Sequence, residues 1–299
     1  MHYINVSVIV YIGKAIIYYL GIVMSNIEAF INQAKEELTE NKELSLITTF
    51  DGVEHIKDEI LEKMYDDDFY YGYLGKNALS SSSLKNILKS PKIYKEVIEN
   101  GQDESQALRS GKLFHWMILE PEKMEDLHIV EVASKNTKAY KQACLEHDNV
   151  FTRKEVADME ILAEVIKKNT KAMEILKDSK VEIPAIKMIK GIAFRGKADI
   201  LRKDEIVDLK TTTDVANFKW SAYKYGYDLQ AYLYLKLFPE VKKFRFLCID
   251  KATKDIGIFE CSEEFLDSGR QKLERGISEY KKFFKNGESI DDYTIEGVL

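Results

Sequence analysis

Asp199, Asp208 and Lys210 are the residues whose types and spacing bear most directly on chemistry. Ile192, Phe194, Ala198 and Ile200 alternate with Arg195, Lys197 and Asp199, the period-two pattern of a strand with one apolar and one polar face. Beyond Lys203-Asp204 runs Ile206-Val207-Asp208-Leu209-Lys210-Thr211, where Asp208 and Lys210 stand two apart and point the same way on a strand. A connection of two or four residues centred on Lys203-Asp204 pairs positions whose numbers sum to 407. That register sets Asp199 across from Asp208, with Cβ atoms about 4.5–5.5 Å apart. A three-residue loop would break it, and Lys203-Asp204 lacks the Asn-Gly signal of a tight turn. Two carboxylates so placed repel, and need a cation or a shared proton. An all-oxygen cluster suits Mg²⁺ or Mn²⁺ better than zinc. Taken alone, such residues more often describe a solvated hairpin face, so their surroundings must decide.

The elements that would position them can be read on either side. Ile27, Phe30, Ile31, Ala34 and Leu38 recur at helical spacing in an N-terminal helical arm, and Asp66-Asp67-Asp68 marks a solvated break before the next element. Ser80 to Ser83 form a capping-rich entry to a short helix over Leu84 to Leu88, which ends near Pro91. Residues 107–119 form an apolar helix stopped by Pro121, and Lys154 to Lys177 a longer one. From Val181 onward the chain turns to β-branched runs. Asp214 caps the helix after the second hairpin strand, and Ala231, Tyr234, Leu235 and Phe238 line another that Pro239 ends. Phe244 to Asp250 and Ile256 to Cys261 read as a strand pair, followed by a helix capped by Ser262. These elements predict an α/β protein.

Composition narrows the function classes. With 299 residues, 45% hydrophobic and 31% charged, the chain has ample material for a core and is not wholesale disordered. Its three cysteines are odd in number and widely spaced, which argues for a reducing, cytoplasmic setting. They also fall short of the four thiolates of an iron–sulfur cluster. A net charge of −6 means that any nucleic-acid surface must gather its basic residues locally. Lys135, Lys138, Lys141, Arg153, Lys154, Lys187, Lys190, Arg195 and Lys197 form such a concentration ahead of the hairpin. Tyr140, Trp220, Tyr223, Tyr225 and Tyr227 offer rings for stacking on frayed bases.

Val6 to Val23 is apolar apart from Lys14. As a membrane span its 18 positions are about the minimum, and the central lysine costs roughly 2.5–3.5 kcal/mol. It also lacks the basic start of a signal peptide. Met24-Ser25-Asn26 reads as a natural start, so residues 1–23 are expected to be an extension outside the native chain, with a core or edge strand as the alternative and no membrane partner. The expected division is then 1–23, an arm over 24–78, and one domain over 79–299.

Lys197-Ala198-Asp199-Ile200 followed by Val207-Asp208-Leu209-Lys210-Thr211-Thr212 resembles the PD-(D/E)xK nuclease signature, with alanine where that motif often has proline. Over roughly residues 79–285 the chain further resembles the RecE-type (exonuclease VIII) phage recombination exonucleases. Ser110-Gly111-Lys112-Leu113-Phe114-His115 through Leu119-Glu120-Pro121-Glu122 is similar to that family's G-x-x-x-H…LEPE segment. Ser80 to Ser83, Ser90-Pro91 and Tyr94 resemble its N-terminal entry, and Tyr225-Gly226-Tyr227-Asp228-Leu229-Gln230-Ala231-Tyr232 its tyrosine-flanked glutamine motif.

The resemblance implies a restriction-endonuclease-like core, a mixed central sheet flanked by helices, with the N-terminal helices as an extension. It implies Asp199 and Asp208 as metal ligands, His115 as a further one, and Glu182 as a second-tier ligand. Lys210 would orient or help deprotonate the attacking water, and Gln230 would reach the metal site or a substrate phosphate. The basic and aromatic surface would include Lys187, Lys190, Arg195, Lys197, Tyr225 and Tyr227. The implied activity is Mg²⁺-dependent 5′ to 3′ degradation of linear duplex DNA in phage-type recombination. The implied partners are DNA ends, a single-strand annealing recombinase and further copies of the chain in a ring. A non-catalytic DNA-end-binding module and a structure-specific endonuclease are the competing readings.

Overall fold

The computed structural model describes residues 46–101 and 105–296. The expected helix over Ile27 to Leu38 and the apolar stretch Val6 to Val23 lie outside the described residues. No helix among the described residues is long and apolar enough to cross a membrane.

The centre is a five-stranded sheet of β5 (Lys180–Ile189), β6 (Ile192–Leu201), β7 (Glu205–Thr212), β8 (Lys243–Asp250) and β9 (Ile256–Glu260), ordered as in the sequence. Only β7 and β8 run parallel, so the sheet is mixed, as expected. Period-two alternation divides its side chains between two cores. Ile206, Phe244, Phe246 and Cys248 join one, Val207, Leu209, Leu247 and Ile249 the other.

The first core is closed by α3 (Ser81–Lys89), α9 (Phe218–Lys224), α10 (Tyr227–Leu237) and α11 (Glu263–Tyr280). The second is closed by α5 (Gln106–Leu119), α7 (Arg153–Lys168) and α8 (Thr170–Leu176). Capping follows the sequence closely: Ser80 Oγ accepts the Ser83 N–H at 3.2 Å, and Ser262 Oγ the Phe265 N–H at 3.2 Å. The single helix expected over Lys154 to Lys177 is two, because Asn169 ends α7 and its side chain caps α8 by accepting the Ala172 N–H at 3.0 Å.

Residues 46–78 are less helical than expected and are not set apart from the domain. They open with a hairpin of β1 (Leu46–Thr48) and β2 (Glu54–Ile56), then α1 (Lys57–Lys63), a π-helical turn over Asp68–Tyr73, and α2 (Leu74–Asn77). Ile47, Ile60, Met64, Tyr70 and Leu74 pack on Ile186 and Ala193 of the β5–β6 hairpin, so this segment roofs one face of the sheet. The same packing corrects the strand reading. β6 is buried from Ile192 through Ile200, and its polar side has a cover where the alternation predicts solvent.

Two turns set the registers that matter for the site. Lys190 (φ 51°) and Gly191 (φ 75°) form a two-residue turn with both residues left-handed, as a primed hairpin turn requires. At the other end of β6 the Arg202 N–H donates to the Glu205 carbonyl at 2.9 Å, which leaves Lys203-Asp204 as the two-residue connection. Ile200 then faces Val207 and Leu201 faces Ile206, the register that sums to 407.

Candidate metal and phosphate site

The β6–β7 ladder stops one step before the aspartates, at Ile200–Val207. Beyond that point the backbone of Leu209 finds other partners. Its N–H donates to Asp199 Oδ2 at 2.9 Å, and its carbonyl accepts from His115 Nε2 at 2.7 Å. Side chains thus complete hydrogen bonds that a continued ladder would have made. Because Nε2 carries the proton toward a carbonyl, neutral His115 presents Nδ1 as a lone pair, which faces Asp199 Oδ2 at 3.6 Å.

Glu182 joins these two from β5. The β5–β6 pairing places it opposite Asp199, but its own φ of 52° interrupts the ladder between Val181–Ile200 and Ile183–Ala198. A left-handed glutamate costs about 1–3 kcal/mol, and such strain collects at functional positions. One ligand-type atom each from His115, Glu182 and Asp199 falls within 4.8 Å of the others. Burial, then repulsion from Asp199 and Glu120, pushes the Glu182 carboxyl up to about 9. Among the described residues no cation lies within ion-pair distance of Glu182, although Lys197 and Lys123 act on it from farther away. One imidazole nitrogen and two crowded carboxylates on three separate elements are a donor set that fits a divalent cation.

Asp208 stands beside this group, not within it. It is 1% exposed. Gln230 Nε2 donates to its Oδ1 at 2.6 Å, and its Oδ2 forms an ion pair with Lys210 Nζ. Burial raises its carboxyl to about 6, against the pull of Lys210 and with a push from Asp199. Lys210 is held well above the usual ammonium range by Asp208 and Asp199, despite its burial. It is therefore a fixed cation and a poor proton acceptor. Period two sends Asp208 and Lys210 together toward α10, whose Tyr227 ring lies 5.2 Å from Lys210 Nζ. A carboxylate has lone pairs beyond the two used by Gln230 and Lys210, so Asp208 retains capacity for a further ligand.

The helix carrying Gln230 is located with care. Gly226, left-handed at φ 65°, turns the chain into α10, and Tyr234 Oη donates to the Lys197 carbonyl at 3.1 Å. Buried Asp228 accepts from Ser268 Oγ at 2.6 Å and pairs with Lys272 at 2.6 Å, which ties α10 to α11. At Gly269 that contact is so close that a Cβ would stand 2.1 Å from the Asp228 carbonyl oxygen.

The basic residues separate. Arg195 donates to the Leu74 carbonyl at 3.1 Å and stacks over Tyr70, so it is an internal brace and no free DNA contact. Lys197 is likewise buried, bonded to Asp67 at 3.2 Å. Asp67 also holds Lys123 at 2.7 Å, so the acidic run expected as a solvated break anchors the roof to the site. Lys190 sits in the hairpin turn, eight residues or roughly 26 Å of strand from Glu182, and Lys187 five residues from it on the same strand. Structure brings neither to the cluster. Tyr225 is exposed and Tyr227 half-buried against Lys210 and Lys85. Sequence reasoning missed Lys85 and Tyr71. Tyr71 is 64% exposed on the π-helical turn, near enough to Glu182 to feel its charge. Its signal was the aromatic density of Asp68-Phe69-Tyr70-Tyr71-Gly72-Tyr73.

Residues 80–293 match a family model described as a PDDEXK-like domain of unknown function, DUF3799. The chain belongs to that family. The DUF3799 match spans the sheet, the helices of both cores, and His115, Glu182, Asp199, Asp208, Lys210 and Gln230. No curated protein matches the sequence. Among solved structures, the chain is similar to a "putative exonuclease" from Eubacterium rectale at 17% identity, with a TM-score of 0.61 over 78% of this chain and 95% of that one. That likeness supports the fold. A second structure, of SSO0001, matches at 12% identity and a TM-score of 0.35 over 73% of this chain and 85% of that one, and carries no argument.

Proposed function

We propose that this DUF3799 protein is a divalent-metal-dependent nuclease that hydrolyses phosphodiester bonds of linear duplex DNA, in the manner of the RecE-like exonucleases. The observation that carries the reading is the meeting of His115, Glu182 and Asp199 within 4.8 Å, beside the ion pair of buried Asp208 with half-buried Lys210. His115, Glu182 and Asp199 would hold the ion, with Asp208 as the adjoining carboxylate. Mg²⁺ or Mn²⁺ bound there would lower the pKa of a water and neutralise charge on the phosphate. The protein's own contribution is positional. Leu209 locks His115 and Asp199, Gln230 locks Asp208, and the Lys210 ammonium faces the charge that develops on phosphate. End-directed degradation is the mode suggested by the name of the Eubacterium rectale "putative exonuclease", which shares the fold. The 5′ to 3′ polarity, the recombinase partner, the ring and the cytoplasmic setting extend this reading from the family resemblance.

The test is incubation of 5′- and 3′-labelled linear duplex with Mg²⁺ or Mn²⁺, with a covalently closed circle alongside. Nucleotide release from the linear form, absent from the circle and lost in Asp208→Ala and Lys210→Ala, is the expected result. Cutting of the circle would mean an endonuclease. Tight DNA binding without cleavage would mean an end-binding module, the reading favoured by the engagement of both Asp208 oxygens.

A further inference from the structure

The Tyr227 ring carries two ammoniums. Lys210 Nζ and Lys85 Nζ each lie 5.2 Å from its centroid. Lys210 finds its counter-charge in Asp208. Lys85, which reaches in from α3, finds none: no carboxylate among the described residues lies within ion-pair distance of it. The charges that act on it are Lys210 and Lys272, which repel, and Asp208 and Asp228, which attract.

Both of those carboxylates are already engaged. Asp208 serves Lys210 and Gln230, and Asp228 serves Lys272, Ser268 and the Leu229 N–H. Three ammoniums therefore share two carboxylates, and Lys85 is the charge left over. Its stem runs over the start of α10, within 3.4 Å of where a Cβ at Gly226 would stand. Burial, reinforced by Lys210, lowers the Lys85 ammonium to about 8. Desolvating a cation beside another cation opposes folding, and is repaid when an anionic ligand completes the site.

We propose that Lys85 and Lys210 form an anion subsite over Tyr227 that takes a backbone phosphate of the DNA substrate. This deepens the nuclease reading and rests on it for the identity of the anion as a phosphodiester. The subsite lies on the α10 side of Asp208, whereas the candidate metal ligands gather on the side of His115, so a bound cation and the two ammoniums, all positive, would meet the anionic substrate from two directions.

Lys85→Met and Lys85→Arg test it in the full chain. Melting temperature is followed with and without inorganic phosphate. Anisotropy of a labelled duplex, with Ca²⁺ in place of the catalytic ion, is followed across a range of salt. Lys85→Met should melt at or above the parent temperature, because a half-buried charge without a carboxylate partner is gone. It should also lose the stabilisation by inorganic phosphate, bind duplex about tenfold more weakly, and show a log K against log salt slope shallower by about 1. Lys85→Arg should keep the parent slope. Phosphate stabilisation without a change in duplex affinity would make this a site for free phosphate and overturn the DNA assignment. A lower melting temperature with unchanged affinity and slope would make Lys85 a brace for Tyr227 and overturn the proposal. The nuclease reading fails separately, through a parent protein that binds duplex in the salt-dependent way yet releases no nucleotide with Mg²⁺ or Mn²⁺.

Discussion

Glu182→Gln should stabilise the metal-free protein and weaken its response to metal. In the folded chain the Glu182 carboxyl is raised from 4.5 to about 9, so the native state holds a proton that the unfolded chain releases. Stability then falls as pH rises across that window. At pH 7.5 the deficit is the three pH units above 4.5, up to about 4 kcal/mol at 1.36 kcal/mol per unit. At pH 5 it is under about 1 kcal/mol. Glutamine keeps the shape and removes the charge. Chains of this length gain about 2 °C per kcal/mol, so Glu182→Gln in EDTA should melt up to about 8 °C above the parent at pH 7.5 and within about 2 °C of it at pH 5. Mn²⁺ at a hundred times its dissociation constant should stabilise the parent by about 2.7 kcal/mol, or about 5 °C. The variant, one donor short, should gain less than half of that at the same Mn²⁺ concentration. Calorimetry at both pH values checks all four numbers. A variant less stable than the parent in EDTA at pH 7.5, or one with an undiminished Mn²⁺ shift, would refute the crowded-carboxylate account.

Asp208→Ala strips the counter-charge from half-buried Lys210 and should cost up to about 3 kcal/mol, while Asp208→Ala with Lys210→Met should recover most of it; denaturant unfolding measures both. Lys210→Met alone should reduce turnover by about 10²–10³ with Mn²⁺ affinity little changed, as single-turnover rates and metal titration would show. Gly269→Ala drives a methyl into the Asp228 carbonyl, so it should cost about 1–3 kcal/mol and impair turnover by shifting the helix that carries Gln230.

How far the sequence foretold the site depended on whether the relevant force was local. The hairpin register was legible because two periods and one two-residue connection determine it, and Ile200 does face Val207. The end of that ladder was not legible. It depends on His115, 94 positions away, arriving to take the Leu209 carbonyl. The burial of Arg195 and Lys197 was hidden for the same reason: alternation reports which residues share a side of β6, while the Tyr70–Leu74 roof that covers them comes from a distant segment. Lys85 had no local signature at all. Its environment is assembled from α3, β7, α10 and α11, and an ammonium lacking a carboxylate partner is visible only after all four are in place.

The side chains of the site divide by what completes them. Asp199 and His115 are completed by the Leu209 backbone, so replacing either orphans a buried peptide group and costs stability along with function. Asp208 and Lys210 complete each other, and Asp228 completes Lys272. Two ionisable groups remain without a direct partner among the described residues: the carboxyl of Glu182, which holds its proton until a cation displaces it, and the ammonium of Lys85. They stand on different elements and call for ligands of opposite sign, so one ion cannot satisfy both. A cation at Glu182 and an anion at Lys85 can. A metal ion and a phosphodiester are the pair of ligands that phosphoryl chemistry brings together, and each would relieve a cost that folding alone leaves in the molecule. The substrate-free, metal-free protein should accordingly be the least stable of its states, and each ligand should bind more tightly once the other is in place.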